Sequence, residues 1–360
     1  MSEMTYIDLL SVSGMTEARV RQLLNQFKRA PAIFGAPYPE LVERCQVEPE
    51  LARRLCGYKR ESKTEEVIDQ AAALGVATIT CLDETYPENL RDVPQAPPII
   101  FARGELKKSD ARALAVIGTR RATAYGRAVA DRFARDFAEA GVAVVSGLAR
   151  GVDTQAHESC LAAGGRTIAV MGTGIDRIYP PENRRLAERI IKNGALITEF
   201  NFGTQPLAMN FPKRNRIISG LSLGVIAVEA KEASGVMNTV NWALNQGREV
   251  FAVPGNIFSK YSLGTNALIK AGASVAISAE DVLEELKLVK KQSKSESIEL
   301  ELGEEEAAIM ALLSETPVYL DEIAVRLSRP VPAILNTLLT MELKGVVRQL
   351  PGKTFVRGFG

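Results

Sequence analysis

From Ala113 onward the chain repeats one pattern: a short apolar, often β-branched run, then an amphipathic stretch closing on glycine. "ALAVIG" precedes "AYGRAVADRFARDFAEAG", "VAVVSG" precedes "DTQAHESCLAAGG", and "RTIAVMG" leads through "ENRRLAERIIKNG" to "ALITEF". "LGVIAVEA" precedes "VMNTVNWALNQG", and "REVFAVPG", "GTNALIKAG", "ASVAIS" and "AEDVLEELKL" complete the series. Strands apolar on both sides need cover on both sides, and the intervening helices supply it. The series therefore predicts an α/β, doubly wound, mostly parallel sheet of Rossmann-like kind. Right-handed crossovers bring the strand C-terminal ends to one edge, where such sheets bind ligands.

The flanks read differently. Residues 1–62 are rich in helix formers, and "LLSVSGMTEARVRQLLNQF" places Gly14 in a turn between two helices, with Thr16 able to cap the second. This is expected to be a small helical domain with a helix-hairpin-helix-like (SAM-like) turn. Residues 63–287 form the extended Rossmann-like domain, entered through the helix–strand segment "VIDQAAALGVATITCL" and the proline-rich "TYPENLRDVPQAPPIIFARG". Residues 288–299 are polar and aperiodic, a linker. Residues 300–360 offer three helices and two strand-like pieces around Pro351-Gly352, the outline of a winged helix. Its third helix, "PVPAILNTLLTMELKG", has few cations, which favours a protein contact or weak DNA contact over base reading.

Charge and chemistry narrow the function. There are 44 basic and 43 acidic residues, so any affinity for nucleic acid must be local. Cys45, Cys56, Cys81 and Cys160 form no C-x-x-C pair and read as reduced thiols. With no signal-peptide pattern and no apolar run long enough to span a bilayer, a cytoplasmic protein is expected. No metal site, no cofactor fingerprint and no nucleophile paired with a base is visible. The single histidine, His157, lies within a helix and reads as structural.

Four loops are expected at the carboxyl edge of the sheet. Gly118, Thr119, Arg120 and Arg121 follow the first buried strand, where helix N–H groups, a hydroxyl and two planar forks suit a phosphate. Gly147, Leu148, Ala149 and Arg150 follow the second, with Asp153 placed to cap the next helix. Asp176, Arg177 and Tyr179 lie in the Gly/Pro-framed third loop. In the fourth, "NFPKRNRIISGLS", Asn210 can cap and Pro212 fits the first helical position. Lys213, Arg214 and Arg216 crowd that turn against the helix dipole, which reads as a seat for an anion.

These loops carry a resemblance. "VIGTRRATAYG", "VVSGLARGVDTQAH", "GGRTIAVMGTGIDRIYPPEN", "FPKRNRIISGLS", "GREVFAVPGN" and "GTNALIKAGA" follow the order and spacing of the DNA-processing protein A (DprA/Smf) family, with agreement from about Tyr86 to Ala273. The resemblance implies a non-catalytic homodimer that binds single-stranded DNA, protects incoming strands and helps load the RecA recombinase during natural transformation. It places DNA contacts on Gly118, Thr119, Arg120 and Arg121, on Gly147 to Arg150, and on Lys213, Arg214, Asn215, Arg216, Ser219 and Gly220. The dimer contact would lie within Val250 to Lys270, with Ile257, Leu263, Leu268 and Ile269 as apolar candidates. "EASGVMNTVNWAL" departs from the "SGSLITA" of many relatives, which leaves that loop without an assigned role. The competing reading is a Rossmann-like nucleoside-monophosphate phosphoribohydrolase, but no carboxylate follows Gly264-Thr265.

Overall fold

In the strand Ala113–Ile117 all five residues are buried, yet they serve two cores. Ala113, Ala115 and Ile117 face one, and Leu114 and Val116 the other. That is the two-residue alternation of a strand covered on both sides. The computed structural model describes residues 4–232, 234–288, 303–313, 318–343, 347–350, 352 and 354–357. They fall into two compact units, Met1–Lys290 and Lys291–Gly360.

The first unit holds β1 (Val76–Thr80), β2 (Ile99–Gly104), β3 (Ala113–Ile117), β4 (Ala143–Ser146), β5 (Thr167–Val170), β6 (Gly194–Thr198), β7 (Gly224–Ala227), β8 (Glu249–Ala252) and β9 (Ser274–Val275). They form one sheet in the order β1-β2-β6-β5-β4-β3-β7-β8-β9. β2 runs antiparallel to both its neighbours, β1 and β6; the strands from β6 across to β9 pair in parallel, with Ala115 beside Val145 on one side and Val225 on the other.

The helices are α1 (Tyr6–Ser11), α2 (Glu17–Phe27), α3 (Ala30–Phe34), α4 (Pro49–Cys56), α5 (Ser62–Ala73), α6 (Glu88–Arg91), α7 (Ala124–Glu139), α8 (Val152–Ala162), α9 (Arg184–Lys192), α10 (Asn210–Gly220), α11 (Gly235–Asn245), α12 (Leu263–Lys270) and α13 (Ala279–Glu285). Phe133 and Phe137 of α7, Val152 and Ala156 of α8 and Val282 of α13 cover one face. Ile217 and Ile218 of α10, Val240 of α11 and Leu268 of α12 cover the other. Burying each large side chain contributes about 1.5–3 kcal/mol, so this double cover dominates the stability of the unit.

The N-terminal helices α1 to α4 pack around Leu9, Leu23, Leu24, Leu41 and Leu55, and that core reaches Ile99 of β2. They belong to the same compact unit as the sheet. Gly14 turns the chain at φ +88°, and the Thr16 hydroxyl accepts the Arg19 N–H at 3.3 Å to start α2. The Asp8 carboxylate, fully buried, pairs with Arg60 at 2.6 Å and ties the end of the helical segment back to its beginning.

The second unit contains α14 (Glu304–Leu312), β10 (Val318–Tyr319), α15 (Leu320–Arg326), α16 (Val331–Leu343), β11 (Val347–Leu350) and β12 (Thr354–Arg357). Ile309, Ile323, Leu338 and Phe355 form its core. β11 and β12 make the wing hairpin, and the two-residue β10 adds a third strand beside β12. Too short to leave an alternating pattern, β10 escapes a sequence reading. Apart from Leu288, the linker expected at 288–299 lies outside the described residues. Among the described residues no helix is long and apolar enough to cross a membrane.

Candidate nucleic-acid interface

The chain leaves β3 in one direction through β4, β5 and β6, then crosses by α10 to β7, β8 and β9 in the other. The reversal between β3 and β7 opens a crevice beyond the strand carboxyl ends, where ligands of such sheets bind. Here it is a cavity of about 470 Å³, lined among others by Gly118, Thr119, Arg120, Arg121, Ala149, Phe211, Arg214, Asn215 and Lys231.

The loop after β3 is fixed from below and free at its tip. Glu229, buried just beyond β7, accepts the Thr119 N–H on its backbone oxygen at 2.9 Å. Its carboxylate accepts the Thr123 N–H at 3.0 Å. Thr123 caps α7 by accepting the Gly126 N–H at 3.1 Å. The tip residues Arg120 and Arg121 are exposed. Among the described residues neither makes an ion pair, nor does Lys231 opposite them.

The loop after β4 is held by two buried ionic groups. Asp153 was expected to cap α8, but the helix begins at Val152 with Gly151 as its cap. The Asp153 carboxylate instead accepts the Gly147 N–H at 3.1 Å and the Ala149 N–H at 3.4 Å, so it clamps the preceding loop. Arg214 lies buried below and donates to the Gly147 oxygen at 2.8 Å and to the Val170 oxygen. Burial pushes the Arg214 guanidinium down to about 10 and the Asp153 carboxyl up, the arginine drawing the acid partly back. Gly147 lets the guanidinium approach, because a Cβ there would sit 2.6 Å from Arg214 Nη2 and displace it from its backbone partners. Gly151, at φ +81°, brings the two loops into backbone contact; a Cβ there would meet the Thr119 oxygen at 2.3 Å. Leu148 points into the core, and exposed Arg150 pairs with Glu182.

The third loop supports rather than lines the crevice. Asp176 accepts the Gly203 N–H at 2.9 Å, and Asn183 donates to the Leu148 oxygen at 2.9 Å. Tyr179 packs 5.6 Å from Phe211, whose ring is flanked by the guanidinium groups of Arg120 at 5.5 Å and Arg214 at 5.9 Å. His157 is fully buried, its Nδ1 2.6 Å from the Thr167 hydroxyl, and burial lowers it to about 3. It stays neutral beneath the site.

Helix α10 divides the cations of the fourth loop. It starts at Asn210 with Met209 as its cap, so Pro212 is its third residue and Lys213 its fourth, later than the sequence suggested. Arg214 and Asn215 face the crevice. Lys213 and Arg216 face the N-terminal helices. Arg216 forks onto Glu199 at 2.9 and 2.7 Å and reaches Glu17 at 3.1 Å. Lys213 pairs with Glu17 and, at 3.2 Å, with Glu199. Two of the three cations thus meet carboxylates of the protein itself. Ser219 and Gly220 are buried in the last turn, Ser219 donating to the Arg216 oxygen at 3.2 Å and Gly220 packed on Leu90.

Sequence reasoning passed over Lys231, Tyr261 and Glu229. Applying the carboxyl-edge rule to the loop after β7 would have found Lys231 and Glu229; Tyr261 has no local signature. Of the four dimer candidates, Ile257 and Leu263 are exposed, Ile269 is half-buried, and Leu268 lies in the sheet core at 8 % exposure. Phe258, beside Ile257, is 91 % exposed. Among the described residues no group of three or more His, Cys, Asp or Glu is placed to hold a metal.

Comparison with known proteins gives a consistent picture. Residues 77–287 match the family model described as DNA recombination-mediator protein A, and residues 293–353 match the DprA winged helix domain. The DNA processing protein DprA of Bacillus subtilis is 38% identical over 76% of this chain and 94% of its own. The protein Smf of Escherichia coli is 39% identical over 75% of this chain and 74% of its own. The structure of DNA processing protein A from Streptococcus pneumoniae superimposes with a TM-score of 0.69 at 32% identity, covering 79% of this chain and 99% of that one. DNA processing protein A from Helicobacter pylori, whose structure was solved for its single-stranded DNA binding mode, gives a TM-score of 0.53 at 31% identity over 59% of this chain and 95% of its own.

Proposed function

The chain belongs to the DNA-processing protein A family of DNA recombination mediators, and on that footing we propose that it binds single-stranded DNA in the switch-point crevice. It would shield incoming strands there and help load the RecA recombinase during DNA uptake, acting as a homodimer in the cytoplasm. The observation that carries the reading is the crevice itself: Arg120, Arg121 and Lys231, without ion pairs among the described residues, stand around a cavity whose wall carries Phe211. Cations on a groove take phosphates, and an aromatic ring flanked by guanidinium groups takes a base face. Thr119, with the N–H groups at the start of α7, can add neutral donors. The single-stranded DNA binding mode of the Helicobacter pylori relative supports the same assignment.

Within this reading Gly118 to Arg121 and Ala149 contact the strand directly, while Gly147 and Leu148, both buried, hold the loop after β4 in shape and Arg150 stands paired with Glu182. Arg214 and Asn215 shape the wall, and Lys213 and Arg216 take part through the exchange described below. Ser219 and Gly220 act only through the packing of α10. The dimer would form through Ile257, Phe258 and Leu263, which stand in water in the single chain. Fluorescence anisotropy with a single-stranded oligonucleotide and its duplex tests the proposal. Single strands should bind tighter than duplex, with affinity falling as salt rises by about 0.7 logarithmic unit per phosphate contacted. Equal affinity for duplex, or salt-independent binding, overturns it. Ile257→Glu should shift sedimentation toward the monomer.

A further inference from the structure

Lys213 and Arg216 lie on the α10 flank turned away from the crevice, yet their neighbours Phe211 and Pro212 line it. Lys213 thus stands one residue beyond the crevice rim. Its partner Glu17 is the first residue of α2, on the N-terminal helices, 196 residues away in sequence. The two carboxylates here differ in kind. Glu199 is buried, 3% exposed, and forks onto Arg216, which is also 3% exposed; that pair is part of the fold. Glu17 and Lys213 are each 45% exposed. Burial pushes the Glu199 carboxyl up. Burial acts on Glu17 too, but its contacts with Lys213 and Arg216 outweigh it and hold that carboxyl below the usual range. Glu17 is therefore the firmly charged and detachable member. Beside it lies a second cavity, of about 260 Å³, whose polar wall includes Thr16, Glu17, Glu199 and Asn201 and whose other half is apolar, with Met15 and Val20 among it. The Glu17 side chain has space to leave Lys213 and Arg216.

We propose that Glu17 is a built-in competitor for DNA: its carboxylate occupies, on Lys213 and Arg216, a seat that a phosphate of the bound strand takes when the side chain swings out. Glu17 and Glu199 together cancel the two cations. With Glu17 withdrawn, one positive charge lacks a counter-ion, and one phosphate oxygen restores the balance. The N-terminal helices thereby tune affinity without touching the crevice. This inference rests on the crevice being a single-stranded DNA site.

The experiment is anisotropy with an oligo(dT) strand across a salt series, on the full chain and on Glu17→Gln, Glu17→Asp and Glu17→Gln/Lys213→Ala. Releasing an ion pair of this exposure should tighten binding about threefold to fivefold at low salt. It should steepen the salt slope by about 0.7 unit, the signature of one further phosphate. Glu17→Asp, a methylene short of Lys213 but still charged at the start of α2, should move in the same direction by less. Adding Lys213→Ala should remove most of the gain. Unchanged or weaker binding by Glu17→Gln, with an unchanged melting temperature, overturns the competitor and leaves the crevice intact. If Glu17→Gln lowers the melting temperature, Glu17→Asp decides instead: tighter binding supports the competitor, and unchanged or weaker binding overturns it. Failure of the unaltered chain to bind any single strand overturns both readings.

Discussion

Arg120 and Arg121 stand at the crevice without an ion pair among the described residues, while Lys213 and Arg216, on the far flank of the helix that walls it, share two carboxylates. In sequence the second stretch looks the stronger anion seat, because together with Arg214 it holds three cations in four residues. In the fold it is the first set that is left uncompensated. A cation is directly available to a ligand where the fold has supplied no acid; where it has, the ligand must first displace that acid. Those acids come from a strand end and from a separate helical segment, which no local window contains.

The largest effect should come from Arg216→Ala. It strips buried Glu199 of its forked partner, and breaking a buried pair costs about 3–5 kcal/mol. Chemical denaturation should show that loss. A stable variant with weakened DNA binding would instead move Arg216 to the crevice class. Next, Arg120→Ala and Arg121→Ala should each remove about 1–3 kcal/mol of single-strand binding while leaving the melting temperature in place. A collapsed fold in either would erase the contrast.

A graded effect, read as a slope against pH, concerns the buried layer beneath the crevice. His157 titrates near 6.5 when unfolded and near 3 in the fold. Its folded value is the depressed one, so the unfolded chain takes up the proton first. Stability is then lost as pH falls from about 6.5 toward 3, by about 1.4 kcal/mol per unit. His157→Asn, which can keep a bond to Thr167, should flatten that part of the pH–stability curve relative to the unaltered chain. Identical slopes would mean that His157 is protonated within the fold. Lys213→Ala should have the least effect on stability, under about 1 kcal/mol, because Lys213 and Glu17 are each 45% exposed and Glu199 keeps its fork from Arg216.

The sheet was legible because both its faces are buried: runs such as "ALAVI" and "GVIA" allow few other arrangements. The crevice loops were legible from the same rule, since strand order alone sends Thr119, Arg120 and Arg121 to the carboxyl edge. Helix entry points were harder. Asp153 has the chemistry of a cap, but a residue two places earlier, Gly151, takes that position and frees the carboxylate to bind backwards. Leu268 shows another limit. The composition of α12 reveals apolar side chains but not which of them meets the sheet, so Leu268 read as interface and lies in the core. Long-range acids were the least legible, for Glu17 and Glu199 carry nothing nearby that points to Lys213.

Arg214 and Asp153 bind the loop after β4 and the end of β5 to α10 and α8 from within. The crevice wall is therefore shaped when the chain folds, before any strand arrives. On that side little motion remains to be frozen, so the ordering entropy of association falls chiefly on the nucleic acid. A limp, weakly stacked strand such as oligo(dT) can follow the wall at little elastic cost. A strand stiffened by its own base stacking, such as oligo(dA), must first be unstacked. Discrimination among sequences would then arise from the flexibility of the polymer, with no base edge ever read.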